Sequence, residues 1–70
     1  MNYGQIFKEY RLEKNLSQRD LAKLTGISQQ AISFWEHNKR TPNMDDCILL
    51  ADFYQISLDE LVGREFPRFK

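Results

Sequence analysis

Gln29 and Gln30, followed by Ser33 and Phe34, are the residues of this chain best suited to recognition chemistry. A carboxamide presents one donor and one acceptor in a plane. The N6 and N7 of adenine complete that pattern on a base-pair edge, and such a bidentate pair discriminates by ~1–3 kcal/mol. Stepping about 100° per residue along a helix that begins at Gln29 gathers Ala31, Ile32 and Trp35 on one side. Gln29, Gln30, Ser33, Phe34 and His37 fall on the other, a face without formal charge and rich in amides. Phe34 is the odd member of that face, because an aromatic ring turned to water loses free energy unless something covers it. Two covers are open: the methyl of a thymine in a DNA major groove, or protein, either the loop after this helix or a second subunit.

Bond-making chemistry has little to work with here. One His and one Cys stand without a cluster of catalytic or metal-ligand spacing, and so small a helical domain leaves little room for a pocket. A non-enzymatic protein is expected, with no cofactor, metal or small-molecule ligand. Cys47, between Ile48, Leu50 and Ala51 on one side and Asp46 on the other, reads as a small buried hydrophobe.

The helix carrying the amides must be held by others. Ser17 with Asp20 forms a capping box that starts a helix at Gln18, and Gly26 stops it by taking a left-handed backbone. Ser28 then caps the amide helix, Gln29 to Glu36. Two helices joined by a short Gly-containing turn form a helix-turn-helix, and the small Ala22 permits a close crossing. In front of this pair, Asn2 with Gln5 caps a first helix whose Tyr3, Phe7 and Tyr10 recur at i, i+4 and i+7 toward a core, with Arg11 at the border and Asn15 as the stop. Behind it, Asn38 to Pro42 reads as a loop with two adjacent cations, Lys39 and Arg40. Asn43 with Asp46 caps a fourth helix, in which Met44, Cys47, Ile48, Leu50, Ala51 and Tyr54 form the expected buried arc while Leu49 and Phe53 lie outside it. Ser57 with Glu60 opens a short fifth helix that Gly63 ends. No segment alternates as a strand would.

The expected fold is therefore all-α, a compact five-helix bundle with its second and third helices forming the helix-turn-helix. Residues 1–63 are read as one domain and residues 64–70 as a short extended or frayed tail. At 41% apolar and 29% charged residues, and with no apolar run approaching the ~18 residues of a membrane span, a cytoplasmic protein with no membrane partner is expected. Net charge is zero but unevenly placed: residues 1–40 hold seven Lys or Arg against four Asp or Glu, and residues 41–70 hold three against six, giving +3 in front and −3 behind. Such a chain can turn a basic face to nucleic acid and an acidic back to solvent.

With LSQRDLA, TGIS, QQAISFWE, KRTP and QISLDELVG in this order and spacing, the chain resembles the Cro and phage-repressor type of helix-turn-helix domain, the xenobiotic-response-element family, over roughly Tyr3 to Gly63. The resemblance implies a lambda-repressor-like fold and transcriptional repression. It places Gln18 at a DNA phosphate and Arg40 near the DNA backbone, and it sends Gln29, Gln30, Ser33 and Phe34 into the major groove. It also implies a salt bridge between Arg11 and Glu36. Asn38 stands where the family usually has Gly, and Phe34 where a polar base-reader is common.

The expected function is a sequence-specific DNA-binding transcriptional regulator acting on double-stranded DNA. Base contacts are assigned to Gln29, Gln30, Ser33 and Phe34, and phosphate contacts to Gln18, Ser28, His37, Lys39 and Arg40. One such module covers about half a site, so a homodimer on a palindromic operator is expected, with Leu49, Phe53 and Val62, aided by Leu58, as its interface. The competing expectation is a protein-interaction module, such as an antitoxin, built on the same fold.

Overall fold

In a computed structural model the described residues are 3–62, with the side chain of Val62 excepted. The cap assigned to Asn2, the stop at Gly63 and the tail 64–70 lie outside them. The chain forms α1 (Tyr3–Glu13), α2 (Gln18–Thr25), α3 (Gln29–Glu36), α4 (Met44–Tyr54) and α5 (Leu58–Val62). No strand occurs among the described residues.

Local chemistry sets the helix ends. The Ser17 hydroxyl accepts the Asp20 N–H at 3.0 Å while the Asp20 carboxylate accepts the Ser17 N–H at 3.2 Å. The Ser17 backbone N–H, and after it the Ser17 hydroxyl, hold the Asp20 carboxyl below its usual pKa. In the same way the Ser57 hydroxyl accepts the Glu60 N–H at 3.1 Å and the Glu60 carboxylate the Ser57 N–H at 2.9 Å. Gly26, at φ 79°, closes α2 with its N–H on the Ala22 carbonyl. Thr25 stitches the turn, its hydroxyl donating to the Leu21 carbonyl at 2.7 Å and accepting from the Ile27 N–H at 3.2 Å, so that Ile27 points into the core.

Phe7, Leu21, Ile27, Ile32, Trp35, Leu50, Ala51, Tyr54 and Leu61 form that core. The Tyr3, Phe7 and Tyr10 stripe faces it as expected: Phe7 meets Tyr3 and Trp35 edge-on at 5.8 and 6.1 Å, and Tyr10 stacks on Tyr54 at 5.5 Å. Cys47 is half-buried against the same cluster, and burial pushes its thiol pKa up.

The orientation of α4 differs from the expected one. Met44 and Ile48, assigned to the buried arc, are 65% and 44% exposed, while Phe53, assigned outside it, is half-buried edge-on to Tyr54 at 5.2 Å. Apolar residues surround this helix on nearly every side, so periodicity alone leaves its rotation undetermined. Packing against Tyr10 and the core selects Leu50, Ala51 and Tyr54. The helix ends at Gln55, which holds a left-handed φ of 59°; the Ile56 N–H reaches the Ala51 carbonyl at 3.0 Å and the Gln55 N–H the Asp52 carbonyl at 3.2 Å. These bonds define a Schellman closure.

Tyr54 carries a polar atom that the fold does not satisfy, since its buried hydroxyl lacks a hydrogen-bond partner. Burial pushes the phenol up to about 12, with the Glu36 carboxylate adding to the rise and Arg11 opposing it. Because the folded pKa lies above the unfolded value near 10, the buried phenol costs nothing through ionisation below pH 10, and stability falls as pH climbs from 10 toward 12, by about 3 kcal/mol in full. Tyr54→Phe should leave stability at pH 7 unchanged or raise it by ~1 kcal/mol, and should flatten the alkaline decline. Urea midpoints at pH 7 and pH 11 check both; a loss above ~1 kcal/mol at pH 7 would mean that the hydroxyl has a partner.

Candidate nucleic-acid interface

α3 is gripped from behind and open in front. At its start the Ser28 hydroxyl accepts the Ala31 N–H at 3.1 Å. At its end the Glu36 carboxylate meets the Arg11 guanidinium as a two-pronged pair, Nε to Oε2 at 2.7 Å and Nη2 to Oε1 at 2.9 Å. Arg11 also donates from Nη1 to the Leu16 carbonyl at 2.7 Å, which ties α1, the α1–α2 loop and α3 to one side chain. The two side chains are 8% and 4% exposed, so the pair lies within the fold. The bond to Glu36 raises the Arg11 pKa, outweighing the opposing effect of burial.

Gln18 belongs to this cluster as well, donating from Nε2 to Glu36 Oε1 at 3.0 Å. One hydrogen of the amide assigned to a phosphate is thereby committed to an internal carboxylate, which fixes the direction of the side chain. A second grip comes from the first turn of α1. The Gly4 N–H donates to Asn38 Oδ1 at 3.0 Å, with Asn38 in the left-handed conformation at φ 58°, and the Tyr3 hydroxyl donates to the Arg40 carbonyl at 2.9 Å.

In front, Gln29 and Gln30 are exposed, Ser33 and Phe34 half-buried, and Ile32 and Trp35 buried. The expected division of α3 is the observed one, with Ala31 half-buried at its edge. Ser28 and His37 are exposed at the two ends of the helix, and Lys39 and Arg40 in the loop beyond. His37 Nδ1 lies 2.7 Å from the Ser33 carbonyl oxygen, which can only accept, so Nδ1 carries the hydrogen.

The loop after α3 covers part of Phe34. The Arg40 guanidinium stands over the ring, 5.2 Å from its centroid. Ser28, Gln30, Phe34, Arg40, Thr41 and Asn43 line a cleft of ≈ 330 Å³ between α3 and the start of α4. Four of the nine assigned residues thus share one concave surface; Gln29, Ser33, His37 and Lys39 do not line it, and Gln18 stands on the Glu36 cluster. Of the proposed interface residues, Leu49 and Leu58 are each 39% exposed, Phe53 is half-buried, and the Val62 side chain lies outside the described residues. Sequence reasoning missed Gly4, whose one signal is a glycine in the first turn of an otherwise amphipathic helix. Among the described residues no group of His, Cys, Asp and Glu is placed to hold a metal, and no helix is long and apolar enough to cross a membrane.

A helix-turn-helix family model matches residues 7–61. The chain is 35% identical over 65 residues to the HTH-type transcriptional activator BcrR of Enterococcus faecalis, covering 93% of this chain and 32% of BcrR. It is 37% identical over 65 residues to the HTH-type transcriptional regulator AnsR of Bacillus subtilis, covering 93% of this chain and 55% of AnsR. The chain therefore spans about a third to a half of the length of these relatives. Among solved structures, the restriction-modification controller protein C.AhdI of Aeromonas hydrophila superposes with a TM-score of 0.77 at 32% identity, over 86% of this chain and 91% of that one.

Proposed function

The chain belongs to the helix-turn-helix family of the Cro and phage-repressor type, and from that premise we propose that it is the DNA-binding part of a transcriptional regulator, docking α3 in the major groove. Gln29, Gln30 and Ser33 face base edges, and the backbone is contacted by Ser28, His37, Lys39, Arg40 and the remaining donor of Gln18. A dimer sets two copies of α3 on a palindromic site and represses where that site overlaps a promoter.

One observation carries this reading: an amide-rich, uncharged helix face is left open while the same helix is fixed from behind by the buried Arg11–Glu36 pair. Rigid placement of the reading helix is what base discrimination demands, since a bidentate amide contact tolerates little displacement. Support for the dimer comes from α4, where Met44, Ile48 and Leu49 are exposed together with Leu58 of α5.

Selection of bound duplexes from a random pool by the chain tests the proposal. Enriched sites should contain two inverted half-sites about 34 Å apart along the DNA. Retention of no preferred sequence at low salt would sink the reading and leave a protein-binding module in its place. On an enriched duplex, Arg40→Ala should reduce the slope of log affinity against log salt by about one. An unchanged slope would make Arg40 a solvated surface residue.

A further inference from the structure

We propose that Phe34 is a positioning residue that holds the Arg40 guanidinium against a DNA phosphate, and that it does not itself read a thymine. The inference rests on the DNA-binding reading above.

Three observations meet at this pair. The guanidinium lies within the ~6 Å at which a cation is attracted to an aromatic face, standing 5.2 Å from the Phe34 centroid. The backbone beneath it is held from two directions, by the Tyr3 hydroxyl on the Arg40 carbonyl at 2.9 Å and by the Lys39 N–H on the Phe34 carbonyl at 2.8 Å. And among the described residues no carboxylate pairs with Arg40, although Asp46 lines the same cleft. The charge of Arg40 therefore remains available to a ligand.

A thymine methyl would need open ring surface. Phe34 is already half-buried, and the guanidinium stands over it. A cation held over the ring suits the opposite task. A guanidinium laid on a ring keeps its N–H groups in its own plane and can donate to an oxygen without leaving the ring. An arginine without such a contact would lose its rotamer freedom on meeting the phosphate, whereas one already held by a ring has lost part of it beforehand. Phe34 thus favours binding without touching DNA.

The two roles separate in a double-mutant cycle on a duplex enriched by the wild-type chain. Phe34→Leu should lower affinity about two- to tenfold, by the same factor on every single-base variant of that duplex. In the Arg40→Ala background the same change should have almost no effect. Arg40→Lys, which keeps the charge and removes the planar fork, should weaken binding about as much as Phe34→Leu while leaving the salt slope unchanged. In the free chain, the Arg40 methylene protons should be shifted upfield by the ring and should return to ordinary positions in Phe34→Leu. If the leucine variant fails to fold, the upfield Arg40 methylene shift in the wild-type chain and the affinity loss in Arg40→Lys keep the inference open to refutation. Equal losses in both Arg40 backgrounds, a loss confined to a thymine position, or wild-type affinity in Arg40→Lys would each overturn the inference while leaving DNA binding in place. Failure to enrich any duplex removes both.

Discussion

Glu36→Ala should destabilise the chain by about 3–5 kcal/mol, because it leaves the Arg11 guanidinium charged and unpaired inside the fold. The environment argues for the large value. Both side chains are almost fully buried, at 8% and 4% exposure, and the carboxylate accepts three hydrogen bonds, two from Arg11 and one from Gln18. An exposed ion pair of equal length would be worth under ~1 kcal/mol. At roughly 0.05–0.15 kcal/mol per residue, a domain of this size has only ~4–10 kcal/mol of total stability, so the variant should be largely unfolded at the lower end of that range. Arg11→Met should do similar damage from the other side, stranding the carboxylate and freeing the Leu16 carbonyl.

The double variant Arg11→Met with Glu36→Leu separates burial from attraction. Removing both charges ends the desolvation penalty, so the pair of changes should be less damaging than the sum of the singles by at least ~2 kcal/mol. Urea unfolding followed by Trp35 fluorescence at pH 7 measures this; additive losses, or a Glu36→Ala loss under ~1 kcal/mol, would show the pair to be solvated. DNA binding should not recover in step with stability, because apolar side chains do not fix the end of α3 as a two-pronged ion pair does.

These dependencies mark where the sequence was legible. Each capping signal is complete within four residues, and Ser17 with Asp20 and Ser57 with Glu60 form their boxes as read. The two faces of α3 were legible because Ile32 and Trp35 oppose two glutamines, a contrast that leaves one rotation of the helix favourable. α4 offers no such contrast, and Met44 and Ile48 were assigned to the wrong side. Gln55 gave no local sign of its left-handed backbone, since glutamine is an uncommon residue there and the Schellman closure depends on Ile56 meeting the core. The Arg11–Glu36 pair spans 25 residues and came from family resemblance alone. The sequence leaves the cover on Phe34 open between protein and DNA, and no local signal encodes the loop path that brings Arg40 back over the ring.

Gly4→Ala should cost about 2 kcal/mol, although alanine is the better helix former by ~1 kcal/mol. A β-carbon at this position would stand 2.6 Å from the Glu36 carbonyl oxygen, 2.7 Å from that of Trp35 and 2.9 Å from Asn38 Oδ1. Two of these are backbone atoms at the end of α3, which the Arg11–Glu36 pair holds in place, so α1 itself must move away. Moving it stretches the Gly4 to Asn38 bond of 3.0 Å and the Tyr3 to Arg40 bond of 2.9 Å, and with them the contacts that hold the loop carrying Arg40. DNA affinity should therefore fall in the folded fraction as well as through unfolding. Gly26→Ala is the matching control: nothing lies within 4 Å of its added carbon, but φ is +79°, so its loss of ~1 kcal/mol should come from backbone conformation alone. Urea midpoints for the two variants, with affinity measured where each is fully folded, give opposite patterns. Gly26→Ala should lose stability and keep its affinity, whereas Gly4→Ala should lose both. A Gly4→Ala chain more stable than wild type would mean that helix propensity outweighs the contact, and that α1 and α3 can separate freely by the better part of an ångström that the methyl requires.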